Sequence, residues 1–367
     1  MKKNIYIFTR CIWTFINFRK DLVNKIDKQK YNVYVCMDFD GYKKKYLENK
    51  HNNIKFIEIK FLNQNNSFFL NLKTLFQIFL IFIKNDIHIA HNFTARPIVF
   101  VSLVSFFFLK TKIINTITGL GNNFFANKII YKYLYNLLFL KSYIVIFQNN
   151  QDNKIILNIF KKRIKKKIIY PSVKFYDKKN KIKNRIKNKI VFLMHSRMIK
   201  QKGVIEFIDA IKKLAKTDRK KSLFFLVGDP DKNNPSSISQ SYLNNLTKYY
   251  GIKYIRHQNN ISKYLEKSDV IVLPSYGEGL PASLLEALFY KKAIITTKTN
   301  GCLEMVRDNY NGFLVQPRQS NDIYKVLKKI INTPNIIKKF KRNSYRLFKK
   351  KFDKNSSQQY LDIYNSI

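Results

Sequence analysis

The chain has 367 residues, enough for roughly two domains, and its 46% hydrophobic and 15% aromatic content excludes a disordered or fibrous class. Lys and Arg number 69 against 23 Asp and Glu, a formal net charge of +46, which favours anionic partners: nucleic acid, an anionic membrane or phosphorylated substrates. Coding bias accounts for that charge equally well, because the chain is heavy in Lys, Asn, Ile, Phe and Tyr together.

The elements follow in order. Met1-Lys2-Lys3 leads into Ile5–Thr9, a strand too short to be the apolar core of a secretory leader. Asn4–Thr9 is the first strand, Arg10–Phe18 a loop, and a helix opens at Asn17-Phe18-Arg19 and runs to about Lys28. Asn32–Met37 and Ile54–Ile59 are strands, and Leu70–Lys84 is a helix. Asp86–His91 reads as a strand that delivers HNFTARP at its end. Helix Ile98–Leu109, strand Lys112–Thr116, the loop TITGLGNNF, helix Lys128–Leu140 and strand Ile144–Gln148 follow. Neither Leu75–Ile83 nor Ile98–Leu109 reaches the roughly 18 apolar residues of a membrane span. They are core helices or lie in a membrane interface. Cys11, Cys36 and Cys302 have no metal-binding spacing and read as reduced thiols of a cytoplasmic protein.

Tyr170-Pro171-Ser172 reads as the turn that closes a first domain, residues 1–172, and 173–188 is a charged, Asn-rich linker. A second domain, 189–345, opens on the buried strand Lys189–Met194, with loop His195–Gly203 and helix Val204–Leu214. Ser222–Val227, Ile252–Ile255, Asp269–Leu273, Ala293–Thr297 and Gly312–Val315 are further strands, and Ile261–Lys267 a short helix. The basic tail is helical. Strand–helix alternation throughout predicts an α/β fold of parallel sheets. No G-x-G-x-x-G dinucleotide fingerprint follows the first strand.

One stretch organises the second half: LPSYGEGLPASLLEAL, Leu273–Leu288. A strand end gives way to a loop in which Gly277 and Gly279 flank Glu278, and Pro281 then opens a helix. Glu278 and Glu286 are eight positions apart, and two helical turns cover about 7.2 residues, so both can face one crevice. A carboxylate pair accepts hydroxyl hydrogen bonds and suits a sugar and a ribose better than a metal. Arg197 and Lys202, five positions apart where a strand passes into a helix beside Gly203, are either cations placed for an anionic group or surface charges of a Lys-rich chain.

This stretch, with SRMIKQKGVIEFIDAI (Ser196–Ile211), LVGDPDKNNPSSIS (Leu226–Ser239) and TTKTNGCLEMVRDNYNGFLV (Thr296–Val315), resembles the donor half of family 4 glycosyltransferases. HNFTARP, NTITGLGNNF and YIVIFQNNQD narrow the resemblance to the polysaccharide and lipid-linked-glycan subgroup, with its N-acetylgalactosaminyl and galactosyl transferases. The resemblance implies the GT-B architecture, two Rossmann-like domains with parallel sheets facing across a cleft. It implies a first domain that binds the acceptor and a second that binds the nucleotide sugar, with the end of the chain, 346–367, crossing back to the first domain.

The implied activity is retaining transfer of a hexose or N-acetylhexosamine from a UDP-sugar to an undecaprenyl-diphosphate-linked sugar. No cofactor and no metal are implied. The implied partners are the UDP-sugar, the lipid-diphosphate-linked saccharide and the anionic inner face of the plasma membrane, with no specific nucleic acid. In this reading Glu286 binds the ribose and Glu278 the donor sugar, with Gly279, Leu280 and Pro281 beside them. Arg197 and Lys202 hold the diphosphate. His91, Thr118 and Gly119 lie on the acceptor side, and His91 either contacts the acceptor or packs in the core, as His88 does.

Three positions depart from the family pattern. The histidine that many members carry after the next strand is absent from Thr118-Gly119-Leu120-Gly121. Gly277 and Ala282 stand where relatives often have cations, which leaves the donor sugar open. The rival class, a basic nucleic-acid- or membrane-binding protein on the same scaffold without transferase activity, rests on net charge, and no nucleic-acid-binding module matches.

Overall fold

The computed structural model describes residues 2–42, 47, 53–61, 68–120, 128–158, 164–171, 189–231 and 234–367. It divides the chain into two compact units, 1–172 with 354–367, and 173–353.

The first unit is built on a parallel sheet. Its strands are β1 Lys3–Cys11, β2 Tyr31–Asp38, β3 Ile54–Glu58, β4 Ile89–Phe93, β5 Lys112–Ile117, β6 Ser142–Phe147 and β7 Lys166–Ile168. Their order is β3-β2-β1-β4-β5-β6-β7, so the chain reverses its direction of travel between β1 and β4. Side chains alternate between the two faces, as the period of two requires. Ile5, Ile7, Val33 and Val35 enter one core, and Tyr6, Phe8, Cys36 and Ala90 the other. The first face is covered by α1 Ile12–Phe18, α2 Lys20–Lys25 and the last helix, Ser356–Asn365. The second face is covered by α3 Phe68–Lys84, α4 Ala95–Ser105 and α5 Lys128–Leu140. Helix α6, Asn150–Leu157, starts on the side chain of Asn149, which accepts the Asp152 amide at 2.7 Å.

Three sequence expectations shift here. The expected loop 10–18 is strand end and helix: β1 runs to Cys11 and α1 begins at Ile12. The Thr14 hydroxyl reaches back, accepting the Cys11 amide at 3.1 Å and donating to the Cys11 carbonyl at 2.7 Å. It supplies the start that no Ser or Asp marks. The strand expected over 86–91 lies at 89–93, because pairing with β1 (Ile5 opposite Ile89) and with β5 (Ile89 opposite Lys112) sets its register. The sequence reading also missed β7.

The second unit has strands β8 Ile190–His195, β9 Ser222–Val227, β10 Ile252–Ile255, β11 Val270–Leu273, β12 Ala293–Thr297 and β13 Gly312–Val315. All pair in parallel, in the order β10-β9-β8-β11-β12-β13, with the reversal between β8 and β11. Helices α7 Val204–Lys212, α8 Lys216–Lys220, α9 Gln240–Tyr250, α10 Ser262–Lys267, α11 Ala282–Phe289 and α12 Asn300–Leu303 connect them. Helices α13 Ser320–Asn332 and α14 Asn335–Leu347 follow β13, and a π-helical turn, Phe348–Phe352, continues α14. Phe348 and Phe352 are buried, so this turn stays with the second unit. The segment that belongs to the first unit therefore begins at Lys354 rather than at 346.

That segment carries α15, Ser356–Asn365, which buries Tyr360, Ile363 and Tyr364. The Ser357 hydroxyl donates to Asp21 at 2.6 Å and the Tyr31 hydroxyl to the Tyr364 carbonyl at 3.1 Å. The expected linker 173–188 lies outside the described residues. The three cysteines are free and buried.

Candidate functional site

In open parallel sheets, ligands gather beyond the carboxyl ends of the strands where the strand order reverses. In the second unit that point lies between β8 and β11, and four of the polar residues singled out from sequence sit there. The loop after β8 carries Arg197 and Lys202, and the loop after β11 carries Glu278 and leads into α11 with Glu286.

The two loops are tied together by their backbones. The Tyr276 amide donates to the Gln201 carbonyl at 2.9 Å, and the Ser275 hydroxyl donates to the same carbonyl at 3.0 Å. Below them the Thr297 hydroxyl at the end of β12 donates to the Ser275 carbonyl at 2.5 Å. The Gly301 amide donates to the Glu278 carbonyl at 3.1 Å. A Cβ at 301 would stand 2.2 Å from the Gly279 carbonyl oxygen, so only glycine lets α12 come this close.

On this frame Lys202 Nζ donates to Glu278 Oε1 at 2.6 Å, and both side chains are largely withdrawn from solvent. A charge-assisted bond of that length fixes both groups. Arg197 is exposed, and its guanidinium donates to Asp231 at 2.6 Å. Gly279, Leu280 and Pro281 line the same turn, and Pro281 caps α11 in extended conformation, as the sequence placed it.

Glu286 sits on the first turns of α11, mostly buried, and loss of water pushes its carboxyl up to about 8. His195, at the end of β8, is its neighbour, with Nε2 3.6 Å from Glu286 Oε2. Burial holds the imidazole down to about 4, against a raising bond to the Ser283 backbone. His195 Nε2 is buried with no hydrogen-bond partner. Near neutral pH this corner is therefore an uncharged acid beside an uncharged imidazole. The carboxyl then carries a proton to donate as well as oxygens to accept, which suits paired hydroxyls. Sequence reading passed over His195 because its partner lies 91 positions away.

The raised carboxyl has a consequence for stability. A group whose folded pKa lies above its unfolded value stabilises fully below the unfolded value and loses that contribution as pH rises. Here the loss runs from about pH 4.5 to about pH 8. Glu286→Gln has no such proton to lose. Its melting temperature minus that of the wild type should grow steadily from pH 5 to pH 8.5. A difference flat across that range means the carboxyl is already ionised at the acid end.

The first unit places the other expected residues differently. His91 is not at a strand end but within β4, fully buried. Its Nδ1 is 2.6 Å from the Tyr364 hydroxyl and its Nε2 2.7 Å from the Thr116 hydroxyl. Both ring nitrogens are thus engaged, Nδ1 tying α15 to the sheet and Nε2 joining β4 to β5, and burial beside Arg19 holds the ring well below the usual imidazole range. Thr118 and Gly119 are half-buried in the loop after β5. Thr94, in the loop after β4, has φ 75° and ψ 161°, a region that side-chain-bearing residues rarely occupy, and its hydroxyl is buried without a partner. No local sequence signal marks that strain.

Among the described residues no group of three or more His, Cys, Asp or Glu is placed to hold a metal ion.

Residues 6–149 match the family model described as Glycosyl transferase 4-like, and residues 176–347 match Glycosyl transferases group 1. An N,N'-diacetylbacillosaminyl-diphospho-undecaprenol alpha-1,3-N-acetylgalactosaminyltransferase of Campylobacter jejuni is 30% identical over 183 residues, 50% of this chain and 46% of that one. A UDP-Gal:alpha-D-GlcNAc-diphosphoundecaprenol alpha-1,3-galactosyltransferase of Escherichia coli is 29% identical over 176 residues, 47% of this chain and 45% of that one. The chain thus spans about half the length of these curated relatives. Among solved structures, Anabaena HepE in complex with UDP superposes with a TM-score of 0.75 at 18% identity, covering 100% of both chains. At that identity the likeness shows the fold.

Proposed function

Built from two glycosyltransferase family domains in the GT-B fold, the chain is, we propose, a retaining glycosyltransferase that uses a UDP-sugar and extends a lipid-diphosphate-linked saccharide. The observation that carries this reading is the Lys202–Glu278 pair with Glu286 behind it, all held at the strand-order reversal of the second unit. The sugar and diphosphate of a donor call for this set of groups. Glu286 meets the ribose hydroxyls, Glu278 the hydroxyls of the transferred sugar, and Lys202 with Arg197 the diphosphate. Thr118 and Gly119 stand on the acceptor side.

In the transfer, the bond from the anomeric carbon to the diphosphate oxygen breaks and the electron pair leaves with UDP. The acceptor hydroxyl attacks from the same face. Its proton passes to the departing phosphate, so neither a protein nucleophile nor a metal is invoked. Charge accumulates on the leaving diphosphate, and fixed cations lower the barrier by several kcal/mol. The relatives named for undecaprenyl-linked sugars support the acceptor class, and with that acceptor goes the proposal of a peripheral position on the inner face of the plasma membrane.

Thermal stabilisation by a panel of nucleotides tests the donor site. At a hundredfold excess over Kd, UDP should add about 2.7 kcal/mol, or roughly 5 °C. Glu286→Ala should lose most of that shift while keeping its unliganded melting temperature within a few degrees. Equal shifts from any polyanion would mean that net charge does the binding and would sink the reading.

A further inference from the structure

His195 has no part in the donor contacts set out above, yet it stands against the group assigned to the ribose. It closes β8 beside the strand-order reversal, and Glu286 lies across from it on α11. Nε2 is 3.6 Å from Glu286 Oε2, just beyond a hydrogen bond, and a small rotation of the carboxyl closes the gap. The nitrogen is buried and has no partner. A buried polar atom without a partner is costly, so one left inside a crevice marks a bond still to form.

Charge sets which bond that is. Among the described residues no Lys or Arg stands within ion-pair distance of Glu286: Lys202 is bound to Glu278 and Arg197 to Asp231. A carboxylate buried without a cation is costly, and Glu286 keeps its proton up to about pH 8. Burial holds His195 neutral as well. An acid with one proton to give and a ring nitrogen with one lone pair to offer are complementary as they stand. The Glu286 side chain is still 17% exposed, so it is not sealed from a ligand. We propose that His195 is a positioning residue for Glu286. It accepts a hydrogen bond from the carboxyl at Nε2, so that Oε1, with both lone pairs free, accepts from the two neighbouring hydroxyls of a ribose. The proton stays on Glu286 throughout. The chain thereby selects ribonucleotides over their 2'-deoxy forms through a side chain that itself touches no ligand. The inference rests on the assignment of Glu286 to the ribose.

The test is the affinity of the full chain for UDP and for 2'-deoxy-UDP, by calorimetric titration near neutral pH. The wild type should favour UDP about tenfold, the effect of one well-placed hydroxyl. His195→Leu removes the acceptor nitrogen and adds no charge. It should bring UDP down to the affinity of 2'-deoxy-UDP and leave the latter unchanged, whereas a merely structural role would weaken both nucleotides alike. Glu286→Gln keeps a carbonyl oxygen for the hydroxyls and an N–H for Nε2, so it should retain most of the wild-type preference. Glu286→Gln with His195→Leu should lose it. If His195→Leu folds poorly, Glu286→Gln alone carries the test. Full preference for UDP in His195→Leu would overturn the positioning role and leave the donor site standing. So would loss of preference in Glu286→Gln, since the ribose would then require the ionised carboxylate. Equal binding of the two nucleotides by the wild type would overturn the assignment of Glu286 to the ribose, and the role of His195 with it.

Discussion

Lys202→Met should lower turnover about 10²–10³-fold, the cost of removing one fixed charge that faces a developing anion. The argument rests on where Lys202 sits. It ends the turn Lys200–Lys202, directly before Gly203, and its bond to Glu278 Oε1 at 2.6 Å holds the ammonium. Its partner Glu278 sits in a loop that both β8 and β12 neighbours hold by hydrogen bonds. Removing Lys202 also strands the Glu278 carboxylate, whose side chain is only 10% exposed, so some stability goes with it. The double variant Lys202→Met with Glu278→Gln separates the two effects. It should regain the lost melting temperature and none of the lost turnover. Arg197→Met should cost far less, on the order of tenfold, because its guanidinium is 55% exposed and salt and water already screen it. If the double variant recovers turnover, Lys202 serves the loop and not the reaction.

The loop after β11 was readable because its information is local. A short apolar run, glycines around Glu278, Pro281 at a helix start and Glu286 two turns on mark a strand–loop–helix within sixteen consecutive residues, Leu273–Leu288. The elements that escaped reading are those decided at a distance. The register of β4 depends on β1 and β5, and a shift of a few residues moved His91 from a strand end into the core. The short β7, Lys-Lys-Ile, looks like linker, yet it is an edge strand, where lysines are tolerated and discourage further pairing. Helix α1 hides its start because Thr14 caps from inside the helix. The apolar character of Leu75–Ile83 was plain, but which of its sides faces the sheet follows only once Ile78, Ile81 and Phe82 are seen packed there.

Gly203→Ala should destabilise the protein by about 3 kcal/mol or more and abolish UDP binding. Gly203 has φ +76°, which any side chain resists, and a Cβ there would lie 2.1 Å from the Pro274 carbonyl oxygen. That oxygen belongs to the backbone at the end of β11, so no side-chain rotation relieves the contact. Either the loop after β8 or the loop after β11 must retreat, and with it the Gln201–Tyr276 bond and the Lys202–Glu278 pair. Gly251 supplies the comparison. Its φ is +69°, nearly the same, yet nothing lies within 4 Å of its would-be Cβ. Gly251→Ala should therefore cost only the conformational share, about 1 kcal/mol, and leave UDP binding intact. The difference between the two variants measures the close approach of the loops after β8 and β11. Equal losses would mean that backbone conformation alone requires Gly203 and that the loops have room to move apart.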